Sequence, residues 1–553
     1  MGGGGQDRRP TNCTILEFGV KSLGVKRLLV STLAAALVTQ MLAASPALGT
    51  PGDLDDTFGT GGKVMTTVGA STDVAQALAM QEDGKFLAAG FSDSSGSGRD
   101  VALVRYEADG TLDATFGNGG KMATTIGTAT DTAQEVLVQP DGKIVVGGGA
   151  FAGFNCDSAV LRYTPEGQLD TAFDRDGRAV ADISFCDYIN DMVLLPDGDV
   201  VTAGNAWGES NFDFSLLRFT PSGALNSAFG NGGVVTTDVG AGEDRANAIA
   251  LWKESRVVVA GYSIKSSREF AVARYSPNGA LDTSFSGDGK RGVDIGPFDD
   301  EVTDVAIQLD GKIVLAGYTQ NSEGDRDFAL LRLAADGSND PTFGQDGLVT
   351  VPGAQSDTAQ AVVVLPGGKI LVAGESAVGS NSSFKVVRVG ADGSPDGTFG
   401  TGGEIVTAFG PGIDRVFAAV VQPDGNPVLA GEASNGANAD FALARYEGDP
   451  PEEEPGEVKD LTTTSLRIRK SARRLRISGE VMPAHESKTV TVSLARRKAG
   501  RYMVIATKRP LLDSMSSYGT AFKRPRSGRC RLVATFAEDH DHLASRAVKR
   551  FLC

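Results

Sequence analysis

The sequence predicts an all-β protein: a seven-bladed β-propeller closed by its N-terminal strand, followed by a small β-sandwich. Two observations support this fold class. A unit of 56 to 58 residues with four short strand-like runs repeats along residues 50–447, which is typical of four-stranded propeller blades. A basic stretch with period-two alternation of apolar residues then follows a Pro- and Glu-rich segment. The copies are marked by Phe58, Phe116, Phe173, Phe229, Phe285, Phe343 and Phe399.

Residues 1–49 are predicted to be a signal peptide region. The basic segment Val25-Lys26-Arg27 precedes the apolar run LLVSTLAAALVTQMLAA, and small residues follow it at 45–47. A basic start, an apolar core and a small-residue end are the parts of a secretory signal. A membrane anchor is the less favoured alternative, because the run is short and contains Ser, Thr and Gln. We therefore expect a protein that is secreted, extracellular or associated with the cell envelope, without a stable membrane span.

Residues 50–447 are predicted to form the propeller. The chain enters this region with the last strand of a unit and leaves it after the third strand, at Asp440 to Tyr446. If these two fragments pair, they complete a seventh blade and remove the open edges that a linear array would expose. Asp-Gly pairs such as Asp83-Gly84 supply the tight turn between the first two strands. Glu254-Ser255 replaces this pair in the fourth unit, where the hairpin should be longer or strained.

The charge of the chain changes after the repeats. Residues 50–455 carry 26 basic and 59 acidic side chains, a net charge of −33, whereas residues 456–553 carry 22 and 8, a net charge of +14. Residues 448–460 are predicted to be an extended Pro/Glu-rich linker, and residues 461–553 a basic immunoglobulin-like β-sandwich. The acidic ring should repel nucleic acid, and the basic domain is a candidate to contact an anionic polymer of the cell envelope.

Three phrases carry a resemblance to a known family. They are VLVQPDGKIVVGG at residues 136–148, FALLRLAADG at 328–337 and LDTSFSGDG at 281–289. With their repeated copies they resemble the delta-60 repeat family of bacterial secreted proteins. The resemblance covers about 400 residues and implies propeller blades and an envelope location, but no catalysed reaction.

One acidic position recurs before the first strand of every unit. Together with a second acidic position before the third strand, it should make one face of the disc strongly acidic. This position is a candidate site for calcium, because hard cations bind oxygen ligands. The alternative is that each Asp caps its own loop by accepting backbone N–H groups. The seven residues are Asp73, Asp131, Asp187, Asp244, Asp300, Asp357 and Asp414.

An arginine also recurs, near the end of each third strand. It could form a basic ring for ligands, but a structural ion pair with the Asp of the following LDxxF phrase is favoured, because a charge packed between blades needs a partner. Asn226 replaces that Asp once. Histidine occurs only at His485, His540 and His542, so Ser-His, Cys-His and His-metal chemistry is excluded from the repeats.

Residues that depart from the repeat are the better candidates for ligand binding. Four residues that break the symmetry of the units are candidates, because an aromatic side chain can stack on a sugar or a peptide: Phe154, Trp207, Asn211 and Trp252. The alternative for the aromatic residues is a place in the core. The cysteines offer two candidate disulfides, Cys156 with Cys186 and Cys530 with Cys553, in an oxidising compartment.

These observations favour a secreted, non-catalytic binding or scaffolding protein. We expect a monomer that presents a propeller loop face to a protein or a glycan, with calcium as the one cofactor suggested and with no catalytic residue assigned. The alternative is a cation-dependent hydrolase or lyase that uses carboxylates at the mouth of the propeller channel. It is less favoured because no unit offers an obvious non-repeated carboxylate cluster.

Overall fold

The computed structural model describes residues 49–94, 98–152, 155–353 and 355–449, and segments between residues 463 and 552 that are mostly strands. The chain divides into two compact units, Met1–Asp449 and Pro450–Cys553. The predicted signal region up to residue 48 and most of the predicted linker lie outside the described residues. The described part contains no α-helix, and none of its elements is a helix long and apolar enough to cross a membrane.

The described residues of the first unit form seven four-stranded antiparallel sheets, which we number 1 to 7 along the chain. Each follows a meander in which consecutive strands pair. A strand that precedes sheet 1, β1 (Lys63–Thr66), belongs to sheet 7. Sheets 1 to 3 contain β2 (Asp73–Met80), β3 (Phe86–Ser94), β4 (Gly98–Tyr106) and β5 (Lys121–Thr124); β6 (Asp131–Val138), β7 (Ile144–Ala152), β8 (Asn155–Tyr163) and β9 (Arg178–Ala181); and β10 (Asp187–Leu194), β11 (Val200–Trp207), β12 (Phe212–Phe219) and β13 (Val234–Thr237).

Sheets 4 to 7 repeat the arrangement. The last sheet has three strands from its own repeat and takes β1 as its fourth, with Lys63 paired to Ala444 and Thr66 to Phe441. The strands are β14 (Asp244–Trp252), β15 (Arg256–Ile264), β16 (Arg268–Tyr275) and β17 (Lys290–Val293); β18 (Asp300–Ile307), β19 (Ile313–Gln320), β20 (Arg326–Leu333) and β21 (Leu348–Val351); β22 (Asp357–Val364), β23 (Ile370–Val378), β24 (Asn381–Val389) and β25 (Glu404–Thr407); and β26 (Asp414–Val421), β27 (Pro427–Ser434) and β28 (Ala439–Arg445).

The turn between β14 and β15 departs from the Asp-Gly pattern, as the sequence indicated. A single 3₁₀ turn spans Lys253–Ser255, and Glu254 and Ser255 have φ values of 61° and 59°. Side chains other than glycine rarely adopt this left-handed region. The hairpin of sheet 4 is therefore strained at the point where its repeat residue pair is missing.

Every first strand carries a β-bulge after its third residue. In β18 the pairing passes from Val302 with Gly317 to Asp304 with Ala316, so Thr303 is the extra residue. Glycine is required opposite the bulge, because a Cβ added at Gly317 would collide with the carbonyl of Glu301. Bulges redirect side chains. Here they bring the fourth and fifth residues of the first strands towards a shared cavity.

The core lies between neighbouring sheets rather than within them. One cluster joins Phe86 and Val104 of sheet 1 to Val428 and Leu443 of sheet 7, and the repeat phenylalanine Phe58 is fully buried there. Apolar residues on both faces of each sheet explain why the strands are nearly continuous apolar runs. The sequence thus specifies sheets that are stable only when they stack on one another.

Each sheet is also tied to the next by the recurrent arginine. In sheet 5, Arg332 Nε donates to Asp340 Oδ2 at 2.7 Å, Nη1 donates to the Ala391 carbonyl of sheet 6 at 2.6 Å, and the guanidinium lies over Phe343. Both charged residues are buried. The predicted structural pairing is confirmed in five other sheets by Arg105–Asp113, Arg162–Asp170, Arg274–Asp282, Arg388–Asp396 and Arg445–Asp55.

Sheet 3 has Asn226 in place of the repeat aspartate, and its arginine pairs with a carboxylate from another position. Arg218 Nε donates to Asp199 Oδ2 at 2.7 Å, and Asn226 Nδ2 donates to the same oxygen at 2.7 Å. Asp199 occupies the repeat position that holds Lys85 in sheet 1 and Lys312 in sheet 5. The carboxylate lost at Asn226 is therefore replaced from the neighbouring turn.

The second unit contains two four-stranded antiparallel sheets in its described residues. In one, β31 pairs with three strands; in the other, the order is β33-β32-β35-β36. Leu475, Val492 and Leu532 are among its buried residues. The second unit is thus all-β in its described residues, and both its predicted sandwich packing and its immunoglobulin-like identity stay predictions. The strands are β29 (Thr463–Thr464), β30 (Arg467–Lys470), β31 (Arg474–Met482), β32 (Val490–Lys498), β33 (Arg501–Lys508), β34 (Ser517–Lys523), β35 (Arg529–Phe536) and β36 (Ser545–Leu552).

Candidate functional site

A cavity of about 640 Å³ lies where the first strands of all seven sheets meet. Its size is in the range of about 300–1,000 Å³ that is usual for ligand sites. The fourth residue of every first strand, at or beside the bulge, lines it, and these residues are polar in six sheets. They are Gln76, Gln134, Asn190, Asn247, Thr303, Gln360 and Phe417.

Three carboxylates stand at the next position and break the symmetry of the repeat. Glu135, Asp191 and Asp304 line the cavity where the other four sheets have alanine. Asp191 accepts hydrogen bonds from the backbone N–H groups of Met192 (2.6 Å) and, in the next sheet, Ile249 (2.7 Å). Asp304 is held in the same way by neighbours in its own and the following sheet. These two carboxylates are therefore fixed in position by backbone donors.

Burial controls the protonation of this group. It raises the pKa of Asp304 to about 6 and, with help from the charge of Asp304, that of Asp191 to about 7. The pKa of Glu135 lies well above its ordinary value, through burial first and then through the charges of Asp191 and Asp304. Groups with separated pKa values in one cavity can act as an acid and a base at neutral pH.

The same groups predict a pH dependence of stability. Because the pKa values of Asp191 and Asp304 are raised on folding, the folded protein binds more protons than the unfolded chain between about pH 4 and 7, and stability falls as pH rises through this window. In the double variant Asp191→Ala, Asp304→Ala, the free energy of unfolding should fall less over this pH window, by on the order of 1 kcal/mol. This value is smaller than the full effect of the two pKa shifts, because both carboxylates contact the open cavity. Thermal melting of both proteins from pH 5 to 8 measures it, and parallel curves would contradict the prediction.

Charged and aromatic side chains of sheets 4 and 5 lie along the mouth of the cavity. Arg268 pairs with Glu301 and lies 4.4 Å from the ring centroid of Tyr262. The Tyr318 hydroxyl donates to Glu301 at 2.9 Å, and Arg326 lies 4.1 Å from the Tyr318 ring centroid. Burial raises the pKa of Tyr318 to about 12, so its phenol keeps its proton and acts as a donor. The mouth can therefore donate hydrogen bonds to a polar ligand.

The seven recurrent aspartates lie outside this cavity, at the end of the sheets where the first strands begin, and all are fully buried. Asp131 accepts from the N–H groups of Ile126 and Gly127, and Asp73 and Asp300 are bonded in the same way by their own loops. Asp357 pairs instead with buried Lys385 at 2.7 Å. This geometry is that of loop capping, the alternative to cation binding.

Two of these aspartates also belong to groups of three carboxylates. Within the described residues, ligand atoms approach within 4.8 Å of one another in Asp157, Asp182 and Asp187, and in Asp213, Asp238 and Asp244. Burial and then the neighbouring carboxylates raise the pKa of Asp213. Cation binding at the predicted positions stays a prediction, and these two groups are where it should be tested.

The other predicted ligand residues do not form one site. Trp207 is exposed and packs edge-to-face on Phe212 at 5.0 Å, with Asn211 in the same loop. Trp252 lies at the opposite end of its sheet, where Nε1 donates to the Gly311 carbonyl of sheet 5. Phe154 lies outside the described residues.

A disulfide joins sheets 2 and 3. Cys156 and Cys186 are bonded, with a Cα–Cα distance of 4.6 Å, next to Asp157 and Asp187 of the first carboxylate group. Cys553 lies outside the described residues, so its pairing with Cys530 stays a prediction.

Repeated four-stranded sheets around a shared cavity define a propeller-like repeat protein. Six segments match the family model described as "Domain of unknown function (DUF5122) beta-propeller", at residues 81–116, 139–173, 195–229, 255–285, 308–343 and 365–399. Residues 81–399 thus carry DUF5122 repeats, the delta-60 type, and the resemblance stated above is confirmed for this part. No curated protein matches the chain.

Solved structures with a similar fold include three named as glycan-cleaving enzymes. A polysaccharide lyase of family PL25, an ulvan lyase, is 9% identical, with 70% of this chain and 96% of that chain covered and a TM-score of 0.40. An endo-1,4-beta-xylanase from Bacteroides thetaiotaomicron is 13% identical (56% and 96% covered, TM-score 0.28). A GH43_12 protein from a capybara gut metagenome is 9% identical (89% and 95% covered, TM-score 0.28). At these values the likeness identifies no activity for this chain.

The prediction of a non-catalytic binding or scaffolding protein is corrected. Its premise was that no unit offers a non-repeated carboxylate cluster, and Glu135, Asp191 and Asp304 form one in the cavity. The enzymatic alternative therefore replaces the principal interpretation.

Proposed function

We propose that this protein is a glycan-cleaving hydrolase whose proton-transfer groups are Glu135, Asp191 and Asp304. The observation that carries the proposal is their position: three non-repeated carboxylates project from bulged first strands into one cavity, where the residue before each of them is an uncharged polar side chain. A repeat that served folding alone would place the same residue in every sheet. The proposal rests on this cavity and not on the likeness of fold.

The chemistry requires one group that gives a proton and one that takes a proton. Hydrolysis of a glycosidic bond needs an acid for the leaving oxygen and a base for the attacking water. Glu135, with its strongly raised pKa, gives its proton to the leaving oxygen as the bond to the anomeric carbon breaks. Asp304, the most readily ionised of the three, takes a proton from the water whose oxygen bonds to that carbon. Exchange with solvent restores both groups.

The arrangement of the sheets supports these roles. Glu135 belongs to sheet 2 and Asp304 to sheet 5, so a ring of seven sheets places them on opposite walls, with Asp191 of sheet 3 between them. The proposal thus includes a closed seven-bladed propeller, supported by the pairing of β1 with β28 and by a cavity to which all seven sheets contribute. A glycan chain entering the cavity would pass between an acid and a base.

Incubation with a panel of neutral, uronate-containing and sulfated glycans tests the function. New reducing ends should appear without the absorbance of an unsaturated sugar, because hydrolysis adds water whereas a lyase eliminates. A parallel arm with a chelator tests the cation dependence of the original alternative, with calcium added back. An unsaturated product would show that the reaction is a lyase reaction, and no cleavage of any glycan would contradict the proposal.

Two further expectations from the sequence, secretion and contact with the cell envelope, are consistent with this function and are proposed together with it. Secretion is supported by the Cys156–Cys186 disulfide, because such bonds persist in oxidising compartments. The basic second unit would hold the enzyme near an anionic envelope polymer through its net charge of +14.

A further inference from the structure

An arginine stacked on an aromatic ring recurs at one repeat position in three sheets. The position directly precedes the acidic residue near the start of the third strand, and the ring comes from the neighbouring second strand. The geometry is similar in all three cases, with the guanidinium 4.0 to 4.4 Å from the ring centroid. The pairs are Arg99 with Phe91, Arg268 with Tyr262, and Arg326 with Tyr318.

The three guanidinium groups differ in their charge partners. Arg99 pairs with Asp93 at 3.1 Å and does not line the cavity. Arg268 lines the cavity and pairs with Glu301. Arg326 also lines the cavity, but its guanidinium has neither an ion pair nor a hydrogen bond within the part of the chain that the structure describes. Among the described residues, Arg326 is thus a positive charge at the mouth of the cavity without an ion-pair partner.

We propose that Arg326 binds an acidic group of the glycan, a carboxylate or a sulfate ester, and that the substrate of the proposed enzyme is therefore an anionic polysaccharide. This inference rests on the proposed function. A guanidinium presents five donors in a planar fork that matches such groups in two-point geometry. Stacking on Tyr318 holds that fork in place before the ligand arrives, which reduces the entropy lost on binding.

The anion site and the reacting groups are separate. On β19, Asp304 is paired with Ala316 and Arg326 with Gln320, so the two residues lie four positions apart along that strand, roughly 13 Å at about 3.3 Å per residue. The acidic group would therefore belong to a different sugar residue from the bond that is cleaved. Loss of Arg326 should weaken substrate binding, seen in KM, more than it lowers kcat.

Isothermal titration of the full chain with three short probes tests the inference. The probes are trigalacturonate, a sulfated galactan oligosaccharide and neutral xylotriose, and the variants are Arg326→Gln and the matched control Arg99→Gln. Arg326→Gln should weaken binding of the preferred acidic probe by about 10- to 100-fold, the usual value of a charge-assisted hydrogen bond, and leave xylotriose unchanged. Arg99→Gln should bind like the wild type, because its guanidinium lies outside the cavity.

The comparison of the variants also excludes the basic second unit as the cause of a difference in binding, because its residues are the same in all the proteins. Equal losses in the two variants, unchanged affinity in Arg326→Gln, or wild-type binding no tighter to either acidic probe than to xylotriose would each overturn the inference. The preferred acidic probe distinguishes a carboxylate from a sulfate. If Arg326-dependent binding is found but cleavage survives loss of the cavity carboxylates, the proposed hydrolase fails and the anion site remains.

Discussion

Replacing Asp304 with Ala is expected to lower glycan cleavage by about 100-fold or more, the usual contribution of a general base. The fold should survive, because alanine is the native residue at the same position, the fifth of the first strand, in sheets 1, 4, 6 and 7. The N–H groups of Val305 and Val362 lose their acceptor, so a moderate loss of stability is expected with the fold retained. Initial rates on the best substrate of the glycan panel, with circular dichroism and melting temperature alongside, measure the two effects separately.

Two further variants sharpen this result. Asp191→Ala, at the same position of sheet 3, should also reduce the rate, whereas Glu323→Ala, which removes an exposed carboxylate from the loop between β19 and β20, should not. A folded Asp304→Ala protein with wild-type turnover would remove Asp304 from the mechanism. Equal losses in Asp304→Ala and Glu323→Ala would point to a general loss of negative charge instead.

Replacing Arg332 with Leu is expected to destabilise the first unit by about 3 to 5 kcal/mol, the usual cost of breaking a buried ion pair. The change leaves Asp340 buried without its closest cation and removes the donor to the Ala391 carbonyl of the next sheet. Lys312 remains 3.1 Å from Asp340, so the loss should lie at the lower end of this range. Chemical unfolding followed by tryptophan fluorescence measures it.

Arg326→Leu is the matched control for this prediction. It removes an arginine from the same strand, β20, that has no ion pair in the described residues, and its effect should stay within about 1 kcal/mol, the usual value of its stacking on Tyr318. An Arg332→Leu protein as stable as the control would show that the recurrent arginine does not hold the sheets together.

The repeat allowed the sheets and the arginine pairs to be predicted, because both depend on residues that recur at a fixed spacing. The alternation of short apolar runs with turn residues specifies meanders, and the position of Arg332 relative to Asp340 is the same in most units. The exception at Asn226 was visible in the sequence. Its compensation by Asp199 was not, because that residue comes from a turn 27 residues earlier.

The cavity carboxylates were missed because their neighbourhood depends on the bulges and on the meeting of the first strands at one cavity. Glu135, Asp191 and Asp304 are 56 and 113 residues apart in the chain, and none has an acidic residue directly beside it. Aligning the seven first strands would have shown one position that is alanine in four units and acidic in three. That contrast is the signal of function, whereas the aspartates shared by all units serve the loops.

The pairing of β1 with β28 has a consequence for how the protein is made. Lys63 pairs with Ala444, and almost all of the repeats lie between these two residues in the sequence. Sheet 7 therefore cannot form until nearly all the repeats have been synthesised. Until then β1 is an unpaired strand, and its pairing with β28 is a contact between residues far apart in the chain, which slows folding. Six sheets can assemble in order as the chain emerges, with the seventh as the last and slowest step, during which the nascent protein is most exposed to aggregation and proteolysis.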